Sequence, residues 1–251
     1  MYNFFVDMNK ATSSGYVIDG ADYNHIVNVL RMKVNDRFLA SCEGKSDLCK
    51  IISIDSESVI VDIIEENYCS NELPVELYLF QGLPKNDKME LIIQKTVELG
   101  ISKIYPVEMK NCVVKLDEKK KQSKVSRWQT IAESAAKQSK RNLIPSVCEV
   151  VTFDDMLKIA KELDLFIVPY ENQSGMSSLK NILGNLRSGM KVGVLIGPEG
   201  GFAQKEIEKI NFDNAKLVSL GKRILRTETA AIVSVSALML DIELNFGGEA
   251  L

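Results

Sequence analysis

Two glycine-rich segments, each at the end of an apolar run, constrain this chain more than any other feature. Residues 194–202 read Val-Leu-Ile-Gly-Pro-Glu-Gly-Gly-Phe, and residues 220–231 read Leu-Gly-Lys-Arg-Ile-Leu-Arg-Thr-Glu-Thr-Ala-Ala. Glycine has no Cβ, so at Gly197 and Gly221 the main chain can adopt positive φ and offer N–H and C=O groups to a ligand. Ligands of open α/β sheets bind beyond the carboxyl ends of the strands, so the two segments predict a ligand-binding edge.

Loop chemistry alone would fit two ordinary strand-to-helix turns equally well. The charges favour a site, because Arg223, Arg226 and Glu228 lie close together in the second segment and Glu199 puts a carboxylate in the first.

From residue 75 onward, apolar strand patterns alternate with helical patterns. Such alternation predicts an α/β fold with a mostly parallel sheet and helices on both faces. Asp87 and Glu90 have the spacing of a capping box at one helix start, and residues 115–124 read as a lysine-rich loop. The predicted strands are 75–80, 103–107, 165–168, 192–196 and 217–220, and the predicted helices are 87–99, 125–140, 154–163, 204–210 and 229–244.

The first 70 residues have a different pattern, of short strands separated by turns. This pattern predicts a small β-barrel with one helix at 22–30. Polar residues 67–74 are a plausible linker to the second domain. The predicted strands are 3–6, 16–18, 37–40, 49–54 and 58–64.

Composition limits the class of protein. The chain has 251 residues, 45% apolar and 26% charged, as expected of a globular protein of one large or two small domains. We expect a cytoplasmic protein without a membrane span, because no apolar run approaches about 20 residues and the N-terminus lacks signal-peptide features. Five scattered cysteines without a Cys-x-x-Cys pair indicate reduced thiols and predict neither a disulfide framework nor a metal site.

Charge is unevenly distributed along the chain. The net charge is −3, and residues 1–70 carry 6 basic and 11 acidic side chains, whereas residues 103–141 carry 11 basic and 4 acidic ones. The basic stretch is a candidate surface for nucleic-acid phosphate, although a solvated helix face would also explain it. No Gly-x-Gly-x-x-Gly follows a strand, and the P-loop and Gly-x-Ser-x-Gly motifs are absent, so nucleotide-binding and serine-hydrolase classes lose their main support.

The two glycine segments, read as Ile-Gly-Pro-Glu-Gly-Gly and Leu-Gly-x-Arg-Ile-Leu-Arg-x-Glu-Thr-Ala, resemble the paired signature of the bacterial 16S rRNA uracil N3-methyltransferases of the SPOUT superfamily. The run from His25 to Asp36 resembles the family's N-terminal motif, with Asn35 where glycine is usual. The resemblance implies a PUA-like RNA-binding β-barrel over residues 1–70. It also implies a SPOUT α/β domain over 71–251, with a trefoil knot at about 192–245, and a homodimer.

By the same resemblance, the chain transfers a methyl group from S-adenosylmethionine to N3 of a uridine in 16S rRNA of the 30S subunit, at uridine 1498. Arg226 would stabilise developing negative charge or hold a phosphate, while Glu199 and Glu228 would accept the proton or orient Arg226. The implied RNA contacts are Arg31, Lys137, Lys140 and Arg141. The implied cofactor contacts are Leu195, Ile196, Gly197, Pro198, Gly200, Leu220, Gly221, Ile224, Leu225, Thr229 and Ala230.

Two other functions remain open from the sequence. A SPOUT enzyme acting on another RNA, such as a ribose 2′-O-methyltransferase of tRNA, would share the first glycine segment. A non-catalytic RNA-binding module would not need glycine loops at two strand ends.

Overall fold

The β-branched and aromatic residues of the N-terminal region form a five-stranded sheet. The structure, a computed structural model, describes residues 1–42, 44–171 and 177–246. It contains two compact units, Met1–Glu72 with Ala136–Ile144, and Leu73–Ala135 with Pro145–Leu251. The first unit holds strands β1 (Asn3–Phe5), β2 (Gly15–Asp19), β3 (Arg37–Cys42), β4 (Lys45–Ile54) and β5 (Ser58–Cys69).

The strand order in this sheet is β1-β3-β4-β5-β2. Strands β1 and β3 pair in parallel and the other pairs are antiparallel. Phe4 and Phe38 meet edge to face inside the sheet, with ring centroids 5.1 Å apart, a favoured aromatic geometry. All five predicted strands are confirmed, and β4 and β5 pair with each other beyond the predicted bounds.

The helix predicted at 22–30 is present but changes type along its length. An α-helical turn, α1 (Gly20–Asn24), is followed by a π-helical turn, His25–Val29, in which the Leu30 N–H donates to the His25 carbonyl at 2.9 Å. Ile26 is fully buried in the core of this unit. Arg31 and Asn35 follow with φ of 54° and 76°, so the asparagine does adopt the left-handed conformation that glycine would take.

Residues Ala136–Ile144 belong to the first unit although most of their sequence neighbours belong to the second. Glu72 organises this return, since its carboxylate accepts hydrogen bonds from the Asn142 and Leu143 N–H groups at 2.7 and 3.0 Å. Nothing in the sequence pattern predicted that this segment would belong to the first unit.

The second unit contains a seven-stranded sheet in which every pair is parallel. Its order is β12-β10-β11-β6-β7-β8, with β9 also on β7, so the predicted α/β fold is confirmed. Its strands are β6 (Glu76–Gly82), β7 (Lys103–Glu108), β8 (Ser146–Val147), β9 (Val151–Thr152), β10 (Leu165–Pro169), β11 (Lys191–Ile196) and β12 (Ala215–Val218). Its helices are α2 (Lys88–Glu98), α3 (Glu118–Gln138), α4 (Phe153–Lys161), α5 (Ser177–Ile182), α6 (Gln204–Lys209) and α7 (Thr227–Phe246). The short elements α5, β8 and β9 were not predicted, and the knot implied for this unit stays a prediction.

Two local predictions are wrong. The capping box at the start of α2 is absent, because the Asp87 side chain makes no capping bond and Glu90 pairs instead with Arg127, 2.9 Å from its Nη2.

The second wrong prediction is the lysine-rich loop, most of which is the first part of α3. Lysine and glutamate are good helix formers, and Lys121 pairs with Glu118 one turn earlier at 2.9 Å.

Helix α7 begins two residues before its predicted start and packs on α2 and β11. By length and composition it could span a membrane. Core helices of soluble proteins pass the same test, and the buried positions Ala231, Val235, Leu238 and Ile242 recur along one face of α7. One face of α7 therefore belongs to the core of the second unit.

Candidate active site

A cavity of about 590 Å³ lies beyond the carboxyl ends of the adjacent strands β10, β11 and β12. Three chain segments form most of its wall, namely residues 169–171, 196–202 and 219–227. Lys88, at the start of α2, and Ala230, in α7, complete the wall. This is the sheet edge at which the two glycine segments were predicted to meet.

Close packing shapes the first glycine segment. A Cβ on Gly82 would lie 2.7 Å from Pro198 Cδ, and a Cβ on Gly200 would lie 2.9 Å from the Asn111 carbonyl oxygen. The Asn111 side-chain amide also donates to the Gly200 carbonyl at 3.0 Å. The segment is therefore held from both sides, and its backbone geometry is fixed without a ligand.

The second glycine segment turns at Gly221, whose φ is +113°, whereas Gly197 does not adopt the positive φ considered for it from the sequence. No atom lies within 4 Å of the position that a Cβ would occupy there, so the backbone conformation, not crowding, requires glycine. Ser219 supports the turn, because its Oγ accepts from the Gly221 N–H at 3.2 Å.

Thr227 joins the two segments. Its hydroxyl donates to the Gly197 carbonyl at 2.7 Å and accepts from the Gln81 side-chain amide at 3.0 Å. Thr227 is 6% exposed and Gln81 is fully buried. Sequence reasoning missed both residues. The polar side chain of Gln81 at the end of an apolar strand was the available signal.

Replacing Thr227 by valine is therefore expected to destabilise the fold by roughly 1–3 kcal/mol, because the Gly197 carbonyl loses its buried donor. Urea unfolding followed by circular dichroism measures the change. Thr227→Ser should stay close to wild type because it keeps the hydroxyl. Thr130→Val is the matched control, since its exposed hydroxyl bonds only to the Ser126 carbonyl one turn earlier. Equal losses in Thr227→Val and Thr130→Val would contradict the bridging role.

Lys88 lies between the two carboxylates predicted to be catalytic. Its Nζ is 3.0 Å from Glu199 Oε1 and 3.3 Å from Glu228 Oε2. The backbone N–H of Lys85 also donates to Glu199 Oε1, at 3.1 Å. The side chains of Lys88, Glu199 and Glu228 are 29%, 24% and 14% exposed, so the cluster is only partly screened by solvent.

The surroundings of Glu199 favour its ionised form. Burial would raise the pKa of its carboxyl, but hydrogen bonds from its own and the Lys85 backbone N–H groups and from Lys88 outweigh that effect and lower the pKa. The Glu199 hydrogen bond raises the pKa of Lys88 despite partial desolvation. Because the folded-state pKa of Glu199 lies below its unfolded value, the contact stabilises the fold at neutral pH, and this stabilisation is lost as the pH falls through the folded pKa.

Arg226 lines the cavity and is exposed. Within residues 1–42, 44–171 and 177–246, no ion pair joins Arg226 to a carboxylate, and Glu199 and Glu228 both face Lys88. The structure thus leaves the guanidinium open to the cavity, and the predicted orienting of Arg226 by a carboxylate is not seen.

Most of the residues predicted to contact a cofactor line this cavity. Leu195 and Thr229 do not, because Leu195 is fully buried in β11 and Thr229 faces solvent. Tyr170 and Phe202 were missed, and their rings meet edge to face with centroids 6.2 Å apart. The predicted residues in the wall are Ile196, Gly197, Pro198, Gly200, Leu220, Gly221, Ile224, Leu225 and Ala230.

The four residues predicted to contact RNA all belong to the first unit. Arg31 and Lys140 are exposed, and Lys137 lies 3.2 Å from Asp22 Oδ1. Arg141 needs correction, because it is 2% exposed and its guanidinium pairs with Glu72. Its guanidinium is thus engaged within the first unit, which argues against the predicted contact with RNA phosphate.

Comparison with known proteins agrees with this architecture. An RNA methyltransferase domain family matches residues 71–239, and an RNA methyltransferase PUA domain family matches residues 18–64. The fold and the cavity thus define an RNA methyltransferase with an N-terminal PUA domain.

Individual relatives narrow the class. Ribosomal RNA small subunit methyltransferase E of Bacillus subtilis is 36% identical over 99% of this chain and 100% of its own length. The crystal structure of the enzyme of that name from Neisseria gonorrhoeae, bound to S-adenosylmethionine, is 30% identical with a TM-score of 0.76, over 95% of this chain and 96% of that one. A methyltransferase from Legionella pneumophila, in complex with the same cofactor, is 28% identical with a TM-score of 0.77, over 95% of this chain and 96% of that one. The chain belongs to the family of the ribosomal RNA small subunit methyltransferases E.

Proposed function

We propose that the protein transfers the methyl group of S-adenosylmethionine to N3 of a uridine in 16S rRNA, at uridine 1498 by family resemblance. The observation that carries the proposal is the cavity between two glycine segments at the carboxyl ends of β11 and β12. The family relationship and the cofactor in the Neisseria gonorrhoeae structure support it.

The cavity fits S-adenosylmethionine. Its volume of about 590 Å³ lies in the range of about 300–1,000 Å³ usual for small-molecule sites. No atom lies within 4 Å of the Cβ position at Gly221, so this turn in the cavity wall leaves room for a flat group such as adenine. The Tyr170 and Phe202 rings suit either the adenine face or a cation. When bound, the cofactor supplies an activated methyl group on a sulfonium.

Arg226 has the position and the charge to assist the uridine. Methyl transfer to N3 requires that the N3 proton leave, in this proposal to solvent water, and its removal leaves negative charge on the ring and its two carbonyl oxygens. A fixed cation facing that charge lowers the barrier, and preorganised electrostatics of this kind is often the largest catalytic contribution. The Arg226 guanidinium, exposed in the cavity wall and without an ion pair among the described residues, is suited to this role.

Glu199 is less suited to accept the N3 proton. Its lowered pKa makes it a weaker base than an ordinary carboxylate, and Lys88 and the Lys85 N–H already occupy its oxygens. Glu228 also faces Lys88. In this proposal Glu199 and Glu228 therefore contribute to the charge around the cavity and do not accept the proton.

In this proposal the first unit binds RNA through Arg31, Lys137 and Lys140. Arg31→Ala is expected to weaken binding of a 16S rRNA fragment and to reduce the slope of log affinity against log salt by about 1, because one phosphate contact and its released counterion are lost. Filter binding across a salt series measures both effects. Lys158→Ala, on α4, is the control, since this exposed lysine is not among the proposed contacts. An unchanged slope in Arg31→Ala would remove Arg31 from the RNA surface.

A homodimer in the cytoplasm is also part of the proposal. The apolar side chains of Val233, Leu240 and Leu244 on α7 are 39%, 55% and 84% exposed. A second copy packed on this helix would remove them from water, and a substrate in the ribosome places the protein in the cytoplasm.

The direct test is nucleoside mass spectrometry of 30S subunits from a strain that lacks this protein, before and after incubation with the protein and S-adenosylmethionine. The expected product is 3-methyluridine. Another methylated nucleoside, such as a 2′-O-methylated one, would keep the enzyme class and reassign the target. Intact cofactor binding without methylation would favour another RNA, including tRNA, or a module that only binds RNA.

A further inference from the structure

Lys88 is the one cation that the structure places between two acidic groups of the cavity region, among the residues it describes. It is the first residue of α2, and its ammonium reaches Glu199 in the first glycine segment and Glu228 in the first turn of α7. Helix α2, the first glycine segment and α7 therefore meet at the Lys88 ammonium. Neither the glycine motifs nor their chemistry predicted a residue from α2 at this point.

The ionised side chains around the cavity indicate a role for Lys88. The ionised side chains in the wall besides Lys88 are Glu171, Glu199, Lys222, Arg223 and Arg226, and Glu228 adjoins them through Lys88. With Glu199 and Glu228 turned toward Lys88, the described residues give Arg226 no carboxylate partner. Without Lys88, two carboxylates of the same region would be left without a cation, and Arg226 lines the same cavity as Glu199.

We propose that Lys88 is a positioning residue that keeps Glu199 and Glu228 from pairing with Arg226, so that the Arg226 guanidinium stays available to the substrate. The inference rests on the proposed methyl transfer and adds a residue to it. Lys88 acts through the two carboxylates and Arg226, and it touches neither reactant. A carboxylate bound to Arg226 in a bidentate pair would offset its charge and occupy two of its five N–H donors.

Methyl incorporation into 30S subunits from labelled S-adenosylmethionine measures the effect, whichever RNA atom accepts the group. Lys88→Met is expected to lower kcat about 10-fold to 100-fold, less than the roughly 10²-fold to 10³-fold cost of losing a direct contact to the reacting group, because Lys88 acts indirectly. The cofactor Kd from calorimetry should change less than about 3-fold. Lys88→Arg should retain most of the activity. Lys95→Met is the matched control, because Lys95 lies on the same helix and pairs only with the exposed Glu98, away from the cavity.

Removing a released carboxylate should rescue the loss. In Lys88→Met/Glu228→Gln, one of the two competitors for Arg226 is neutral, so kcat should rise several-fold above that of Lys88→Met. A residue needed only for packing would not give this rescue.

Labelling of Arg226 by phenylglyoxal, quantified by peptide mass spectrometry, tests the same pairing without turnover. Labelling should be fast in wild type, several-fold slower in Lys88→Met and restored in the double variant. This result would stand even if the target were not a uridine, so failure of the proposed reaction and failure of this inference are distinguishable. Wild-type kcat in Lys88→Met, or equal labelling in all three proteins, would overturn the inference. Should Lys88→Met prove unstable by thermal unfolding, Lys88→Gln replaces it in the same comparisons.

Discussion

Arg226→Ala is expected to lower kcat for methyl transfer by at least about 10²-fold, because the variant lacks the cation proposed to face the charge that develops on the uracil ring. Cofactor affinity should change by less than about 3-fold, since the proposed cofactor contacts lie in the glycine segments and do not include the Arg226 side chain. Single-turnover methylation of 30S subunits and calorimetric titration with S-adenosylmethionine provide the two measurements.

Two variants make this result specific. Arg223→Ala removes an equally exposed neighbour from the same wall, and it should cost much less if position as well as charge matters. Arg226→Lys keeps the charge but loses the planar fork, so an intermediate activity would indicate that hydrogen-bond geometry contributes. Normal turnover in Arg226→Ala would remove this residue from the mechanism.

Gly82→Ala is the second variant for which we expect a large effect, and it acts through shape alone. The added methyl would lie 2.7 Å from Pro198 Cδ, 2.8 Å from Pro198 N and 2.8 Å from Met109 Sδ. The Pro198 ring and its backbone nitrogen cannot rotate away, so the first glycine segment must shift. We expect a stability loss of roughly 1–3 kcal/mol and a cofactor Kd raised at least about 10-fold, or about 1.4 kcal/mol.

The control for Gly82→Ala is Gly184→Ala. Gly184 has φ of +81° with no atom within 4 Å of the Cβ position, so alanine there carries backbone strain without overlap and lies outside the cavity wall. It should lose about 1–2 kcal/mol of stability with unchanged cofactor affinity. If both variants bound the cofactor like wild type, the close contact at Pro198 would not determine the cavity's shape.

The ion pair between Arg141 and Glu72 shows why charge in sequence does not identify an RNA surface. Arg141 belongs to the most basic stretch of the chain, and it was predicted to bind phosphate with Lys137 and Lys140. The fold instead buries it at 2% exposure against a carboxylate 69 residues away. A buried arginine requires such a partner, because an unpaired charge costs several kcal/mol or more in a low-dielectric interior.

The sequence by itself determined the features that depend on near neighbours. Alternation with period two and helical periodicity located the strands and the long helices, and their order required a parallel sheet in the second unit. Glycines after β11 and β12 identified the edge at which the cavity lies, because conformational freedom at a glycine is a property of that residue alone.

Only the tertiary structure decided which side chains meet. Gln81 and Thr227 are 146 residues apart and the Lys85 N–H and Glu199 are 114 residues apart, yet each pair is joined by a hydrogen bond. The capping-box prediction at Asp87 failed for the same reason, since Glu90 found a stronger partner in Arg127 on another helix. Such contacts depend on how strands and helices pack. Packing brings together side chains that are distant in the sequence, and these contacts decide which charged groups of the cavity are paired. The residue type at Arg226 could be read from the chain, whereas the proposed role of Lys88 in keeping Arg226 available could only be inferred from the structure.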